Sequence, residues 1–428
     1  MNIENIKSAI LAVLVLISLL LTIGIWNYSS ANYQTNESDT LNISINGEKA
    51  ELNEAVLPTQ MVFHQEGHPL QFTDKTKEGE FYQALKEWDF RIYEDKTNVN
   101  INEEQTYVEL IYPENIPVSL LPRMFNIGED GLNADWDFNR LYLVLNNESN
   151  TIDVVFQSTV HERVMRTEVR ETEAFQQVRQ YMQSDDSFVH LLRYEVNNQV
   201  FYLPEEKLKL ANQTYTTNNI PLEPIIHNLF QDPENVREYR GRYSDGYRLL
   251  EKHQVYSNQY YMKYKNPISG EFLEREELIS QSLTFVNNHD GWTDDYMLFD
   301  ILEGNSSIQY QMLFNGYPVM SRLGQIEQKW LDRELDTYVR PLIRLSTPLS
   351  QEHNTVRSGS EIIQILETEP RRFPEKSIED IQIMYTMNEK QGYSSDIISL
   401  EPQWFIKYNG TWAPIPTEDS LIESQGGV

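Results

Sequence analysis

Residues 8–26 read SAILAVLVLISLLLTIGIW, nineteen consecutive positions without a charged side chain. At ~1.5 Å of rise per residue, a helix of that length spans about 28 Å, close to the ~30 Å hydrocarbon core of a bilayer. The run predicts one transmembrane helix. Lys7 marks its front edge, and Trp26, Tyr28 and Tyr33 stand at its rear, where amphipathic rings favour the headgroup zone. Behind the run no Lys or Arg appears until Lys49, whereas Glu37 and Asp39 do. This asymmetry places residues 1–7 in the cytoplasm and the bulk of the chain outside the membrane. The rival is a cleaved signal peptide ending near Ser29-Ser30-Ala31. The apolar run is longer than the ~7–15 residues of a secretory core, which favours an uncleaved anchor.

The anchor has a face of its own. At ~100° per residue, Ser8, Ala9, Ala12, Ser18 and Thr22 fall within about half of the helix circumference. Small residues let two helices approach closely, and hydroxyls bond across the gap. These five are the candidate partner-binding residues, toward another protein's helix or a second copy of this chain.

The rest of the composition narrows the function. A chain of 428 residues is long enough for about three domains. Asp and Glu number 65 against 35 Lys and Arg, a net charge of −30. Nucleic acid and anionic lipid headgroups both require clustered basic residues, so neither is an expected partner. The absence of cysteine removes disulfides, Cys-ligated zinc, iron–sulfur clusters and thiol catalysis.

After the anchor, residues 27–47 are polar and aperiodic and read as a stalk. The exterior is expected to divide into α+β domains over 48–189, 190–274 and 275–428. Candidate joints are the polar stretch 211–224 and the turn 266–270. Helical spacing marks Phe81/Leu85/Trp88, Phe175/Val178/Met182, Ile279/Leu283/Val286 and Ile362/Ile365/Leu366. Ser358 and Glu361 form a capping box for the last of these. Between the helices lie strand pairs joined by tight turns: 141–145 with 152–156, 194–196 with 200–203, 308–314 with 317–319, and a strand 404–408 running into Asn409-Gly410. Tight turns rather than crossover helices favour an α+β class, with antiparallel sheets and packed helices behind the single span.

A search for chemistry finds little. There is no Gly-rich phosphate loop, no Gly-x-Ser-x-Gly elbow and no Ser-x-x-Lys pair. His64-Gln65-Glu66-Gly67-His68 spaces two His by four, but Gly67 and Pro69 break the helix a zinc site of that type needs, leaving a surface loop. Asp135-Trp136-Asp137-Phe138-Asn139 begins like a calcium loop. It then has Arg140 at the turn glycine and Asn146 at the bidentate acid, so strand entry is the simpler reading. The acidic loop 290–295 is read as a turn. Neither a cofactor nor a metal is called for, and no enzymatic activity is expected.

Several segments share a resemblance. Leu16-Ile17-Ser18-Leu19-Leu20-Leu21-Thr22 with Ile25-Trp26-Asn27-Tyr28, the hairpin Met312-Leu313-Phe314-Asn315-Gly316-Tyr317-Pro318-Val319, and Tyr338-Val339-Arg340-Pro341-Leu342 resemble, in that order, the YycH family. The resemblance implies a single-pass membrane protein of low-GC Gram-positive bacteria with a multi-domain α+β exterior. It implies two partners, a YycI-like anchored protein and the sensor histidine kinase YycG, also called WalK, which governs cell-wall metabolism. It also implies contacts made partly through the membrane helix, with no enzymatic activity and no fixed sign of regulation. The alternative is an extracytoplasmic module binding a cell-wall fragment or peptide, whose mark would be a deep apolar pocket with a few convergent polar groups. A hydrolase would instead need a cleft holding a titratable pair.

Overall fold

In the computed structural model, the described residues are 45, 47–92, 101, 105–128, 132, 135–161, 163–183, 188–197, 199–230, 235–240, 245–249, 253–390 and 396–416. The expected span 8–26, its face of Ser8, Ala9, Ala12, Ser18 and Thr22, and nearly all of the stalk lie outside them. Among the described residues no helix is long and apolar enough to cross a membrane.

Period-two alternation dominates this region, and its strands form sheets of ten, five and nine. The ten-stranded sheet runs, edge to edge, through Gln199–Pro204, Phe188–Val196, His68–Phe72, Gln60–Gln65, Tyr107–Pro117, Asp137–Asn146, Thr151–Gln157, Val164–Val169, Asp89–Ile92 and Asn126–Ile127. On the strand Tyr107–Pro117, Val108 and Leu110 point into the main core and are fully buried. Two amphipathic helices cover that face. Thr76–Lys86 buries Phe81, Tyr82 and Leu85, and Thr172–Met182 buries Phe175, Val178 and Met182. The rings of Phe63 and Phe72 meet edge to face at 4.8 Å, and Phe81 meets Phe63 at 5.6 Å and Tyr181 at 5.3 Å. Trp88, placed by spacing on the first of these helices, lies just beyond its end, yet its ring still packs on Phe81.

The five-stranded sheet joins Ile343–Val356, Leu208–Asn219, Ile397–Tyr408 and Ile378–Glu389, with Thr411–Pro414 paired to the third of these. The stretch 211–224, read from its polarity as a joint, is therefore mostly a strand. It is paired on both sides, Gln213 opposite Gln351 and Leu400, so ladder hydrogen bonds rather than apolar side chains fix it. Residue 190, where a joint was also placed, lies inside the strand Phe188–Val196. The helix Gly359–Thr368 has the expected capping box and buries Ile362 and Leu366. Its first residue must be glycine, since a Cβ there would lie 2.6 Å from Cβ of Leu203 on the ten-stranded sheet.

The nine-stranded sheet holds Arg237–Arg240, Asp245–Leu249, His253–Ser257, Tyr261–Lys265, Glu334–Pro341, Gln325–Leu331, Ser307–Phe314 and Tyr296–Leu302 in order, with Tyr317–Pro318 hairpinned onto Ser307–Phe314. The helix Arg275–Asn288 buries Leu278, Ile279, Leu283 and Val286, and its Phe285 meets Trp330 and Tyr338 edge on. The hairpin turns fold as their residues require: Asn197, Asn315, Gly316, Asn409 and Gly410 all take positive φ. The architecture is thus mixed α/β, with three mostly antiparallel sheets and few helices. The pair Asp89–Ile92 with Asn126–Ile127 is parallel.

Candidate functional site

The second face of the ten-stranded sheet is built differently from the first. Gln60, Val62 and His64 share it with Tyr107, Glu109 and Ile111 on the next strand and with Arg140 and Tyr142 on the one after, as the register Val62–Glu109–Tyr142 requires. The edge strand Gln199–Pro204 lies three positions from Gln60–Gln65 in the sheet order. In a flat sheet that is about 14 Å at ~4.8 Å per strand. Instead Gln60 Nε2 donates to the carbonyl of Tyr202 at 3.0 Å, and the rings of His64 and Tyr202 are 5.4 Å apart. The end of the sheet has curled over its own face, and a small apolar cluster of Val62, Leu191 and Tyr202 holds the curl.

Under the curl sits Glu109, buried on all sides. One oxygen faces His64 Nε2 at 3.3 Å; the other faces Arg140 Nε at 3.3 Å and accepts from the Tyr142 hydroxyl at 3.4 Å. The Tyr202 hydroxyl also bonds to this carboxylate. Burial pushes Glu109 upward, but the His64 hydrogen bond and the Arg140 charge outweigh it and hold the carboxyl below its ordinary value. His64 in turn stacks on Tyr107, centroids 4.0 Å apart and planes within 12°. The reading of residues 64–68 as a surface loop is corrected here. They form a hairpin, Glu66 and Gly67 turn at positive φ, and His64 is buried because its register places it against Tyr107.

This cluster floors a cavity of about 830 Å³, whose far wall is the strand Ile378–Glu389 of the middle sheet. It is not the deep apolar pocket that would mark a conventional ligand module. Its walls carry amides, hydroxyls and carboxylates beside tyrosine rings. It does gather a His and a Glu, but that carboxylate is ionised and saturated by donors. It has no lone pair poised to take a substrate proton, as a general base must.

One end of the cavity reaches an ion cluster that ties the three sheets together. Glu114 of the ten-stranded sheet lies 3.3 Å from Arg275 at the start of a helix and 3.9 Å from Lys407 of the middle sheet. Lys407 bonds Asp300 of the nine-stranded sheet at 3.0 Å. Burial and the neighbouring Asp300 push Glu114 up to about 7. Asp137, from the sequence resembling a calcium loop, ends here at 3.4 Å from Arg275, at the start of its strand. Among the described residues no group of three or more His, Asp or Glu is placed to hold a metal ion.

The five sequence-predicted site residues are all in the span 8–26, so the structure describes none of them. The Glu109 cluster was missed, because polar alternation on a strand reads as a solvated face. Its signal was the kind of polar residue: Tyr, His, Arg and Gln on adjacent strands, rather than Lys and Ser.

Comparison with known proteins agrees over nearly the whole chain. The model of the YycH protein N-terminal domain matches residues 4–187, and that of the YycH protein C-terminal domain matches residues 198–423. The two-component system WalR/WalK regulatory protein YycH of Bacillus subtilis (strain 168) is 23% identical over 452 residues, covering 99% of this chain and 98% of that protein. The crystal structure of YycH from Bacillus subtilis superposes with a TM-score of 0.71 at 19% identity, covering 87% of this chain and 99% of that one, which establishes the fold. A chain matched over residues 4–187 by one family model and over 198–423 by the other belongs to the YycH family.

Proposed function

We propose that this chain is a single-pass membrane protein that regulates a WalK-type sensor histidine kinase, with residues 1–7 in the cytoplasm and the bulk of the chain outside. The observation that carries this reading is the end-to-end match to a regulator of the WalR/WalK system. The N-terminal family model begins at residue 4, so the apolar span 8–26 is part of what is matched. A partner changes a kinase's signalling states only by binding one better than the other. Tenfold regulation needs a difference of only ~1.4 kcal/mol, within reach of a few helix contacts. Ser8, Ala9, Ala12, Ser18 and Thr22 supply such contacts, toward the kinase helix and that of a YycI-like anchored protein.

The test is to replace Ala12, Ser18 and Thr22 with Leu, which preserves insertion but removes close approach. Co-purification with the kinase should fall, and transcription of its regulated genes should shift to the level of a deletion strain. Unchanged association together with unchanged output would refute the helix-face mechanism.

A further inference from the structure

The cavity under the curled sheet is not accounted for by regulation through a membrane helix. We propose that it is a binding site for a neutral oligosaccharide. Its volume of about 830 Å³ lies in the ~300–1,000 Å³ range of small-molecule sites. Its floor is rigid, because Glu109 fixes His64, Arg140, Tyr142 and Tyr202 in one hydrogen-bonded unit. Rings held that way keep their apolar faces and polar edges in place before a ligand arrives, which lowers the entropy cost of binding.

Exclusion narrows the ligand. An anion is disfavoured, since both arginines of the lining already have a carboxylate: Arg140 has Glu109, and Arg193 has Glu195 at 3.0 Å. Glu379 and Asp380 add further carboxylates to the walls. A peptide added as a strand needs free backbone groups on a sheet edge. Two of the edge groups beside the cavity are closed by side chains of the same protein. The Tyr202 carbonyl is taken by Gln60, and the Ile381 N–H donates to the Asp380 carboxylate at 2.7 Å. What remains on the walls is the amides of Gln157 and Gln199, the mutually bonded pair Asn139 and Thr159, and Gln382, whose amide donates to Asp380, beside tyrosine rings. Amides and hydroxyls both donate and accept, as do sugar hydroxyls, and ring faces suit the apolar face of a pyranose. This proposal does not rest on the regulatory reading, and its test needs no kinase.

The full-length protein, in a zwitterionic detergent without a sugar headgroup, should be titrated calorimetrically with triacetylchitotriose, cellotriose and maltotriose. Saturation-transfer NMR then reports which ring protons touch the protein. Trilysine and inorganic phosphate are the charged controls. At least one trisaccharide should bind in the millimolar range or tighter. Gln157→Trp and, on the opposite wall, Gln199→Trp should each weaken it by about tenfold, ~1.4 kcal/mol, with melting temperature retained in at least one of them. Absence of response to all three sugars would overturn the proposal. So would equal binding by a folded Trp variant, or a preference for trilysine or phosphate.

Discussion

Glu109 and Glu78 are both almost wholly buried, at 5% and 4% exposure, yet the protein treats them in opposite ways. Glu109, under the curled sheet, is held ionised by the donors that converge on it. Glu78 lies on the helix Thr76–Lys86, where the tip of the Phe314–Tyr317 hairpin presses against the ten-stranded unit. One of its oxygens has no hydrogen-bond partner among the described residues, and burial pushes its carboxyl up to about 7. Its neighbour Lys75 is lowered by burial, against the opposing charges of Glu78 and Asp380; it donates to the Thr59 carbonyl and sits over the Tyr317 ring. Depth is the same in both places, so depth does not set the charge. The number of donors delivered to the carboxylate does: a sheet brings side chains from three strands onto Glu109, whereas Glu78 has the Met61 backbone N–H and the Lys75 charge set against its burial.

The comparison breaks most readily at Arg140. Arg140→Met leaves Glu109 buried with a charge it can no longer balance, at a cost of about 3 kcal/mol in urea denaturation at neutral pH. Because native Glu109 lies below its ordinary value, its contribution is present above that value and is lost as pH falls through the folded one. The penalty of Arg140→Met should accordingly shrink in acid. A loss under about 1 kcal/mol would mean that water, not Arg140, neutralises the site.

Glu78 predicts the reverse slope. With a folded value of about 7 against an ordinary 4.5, its contribution is complete below the ordinary value and is lost as pH rises through about 7. The loss is on the order of 3 kcal/mol. Glu78→Gln should abolish that slope. The variant should match the wild type near pH 4 and exceed it by about 3 kcal/mol at pH 8, as read by denaturant midpoints across the range. Parallel pH profiles for variant and wild type would remove the distinction between the two glutamates.

How far the sequence discloses such features depends on whether their cause is local. The Asn315-Gly316 and Asn409-Gly410 turns were legible because positive φ is a property of two residues. The Ser358–Glu361 box was legible because both partners lie within one helical turn. The faces of four helices followed from spacing alone. The polar strand Leu208–Asn219 was misread because Asn, Gln and Thr resemble a linker, while its place is fixed by ladders to residues more than 100 positions away. Glu109 was invisible for a related reason. Alternation tells which side of a strand it faces, but the cover over that side comes from residues 199–204, and nothing near position 109 announces the curl.

The smallest effect separates contact from strain. Gly316 takes φ +77°, and a Cβ there would meet the Lys75 carbonyl oxygen at 3.0 Å. Gly410 takes φ +70° with nothing within 4 Å. Alanine at either site costs about 1 kcal/mol for the backbone conformation. Only at 316 must the hairpin tip also lift from the helix that carries Glu78. Water would then reach that carboxyl and return it toward its ordinary range, flattening the stability loss between pH 5 and 8. Gly410→Ala should lower stability equally at every pH. If the two alanine variants gave superimposable pH profiles, the hairpin tip would not be what keeps Glu78 dry, and its raised value would have to come from the helix and sheet alone.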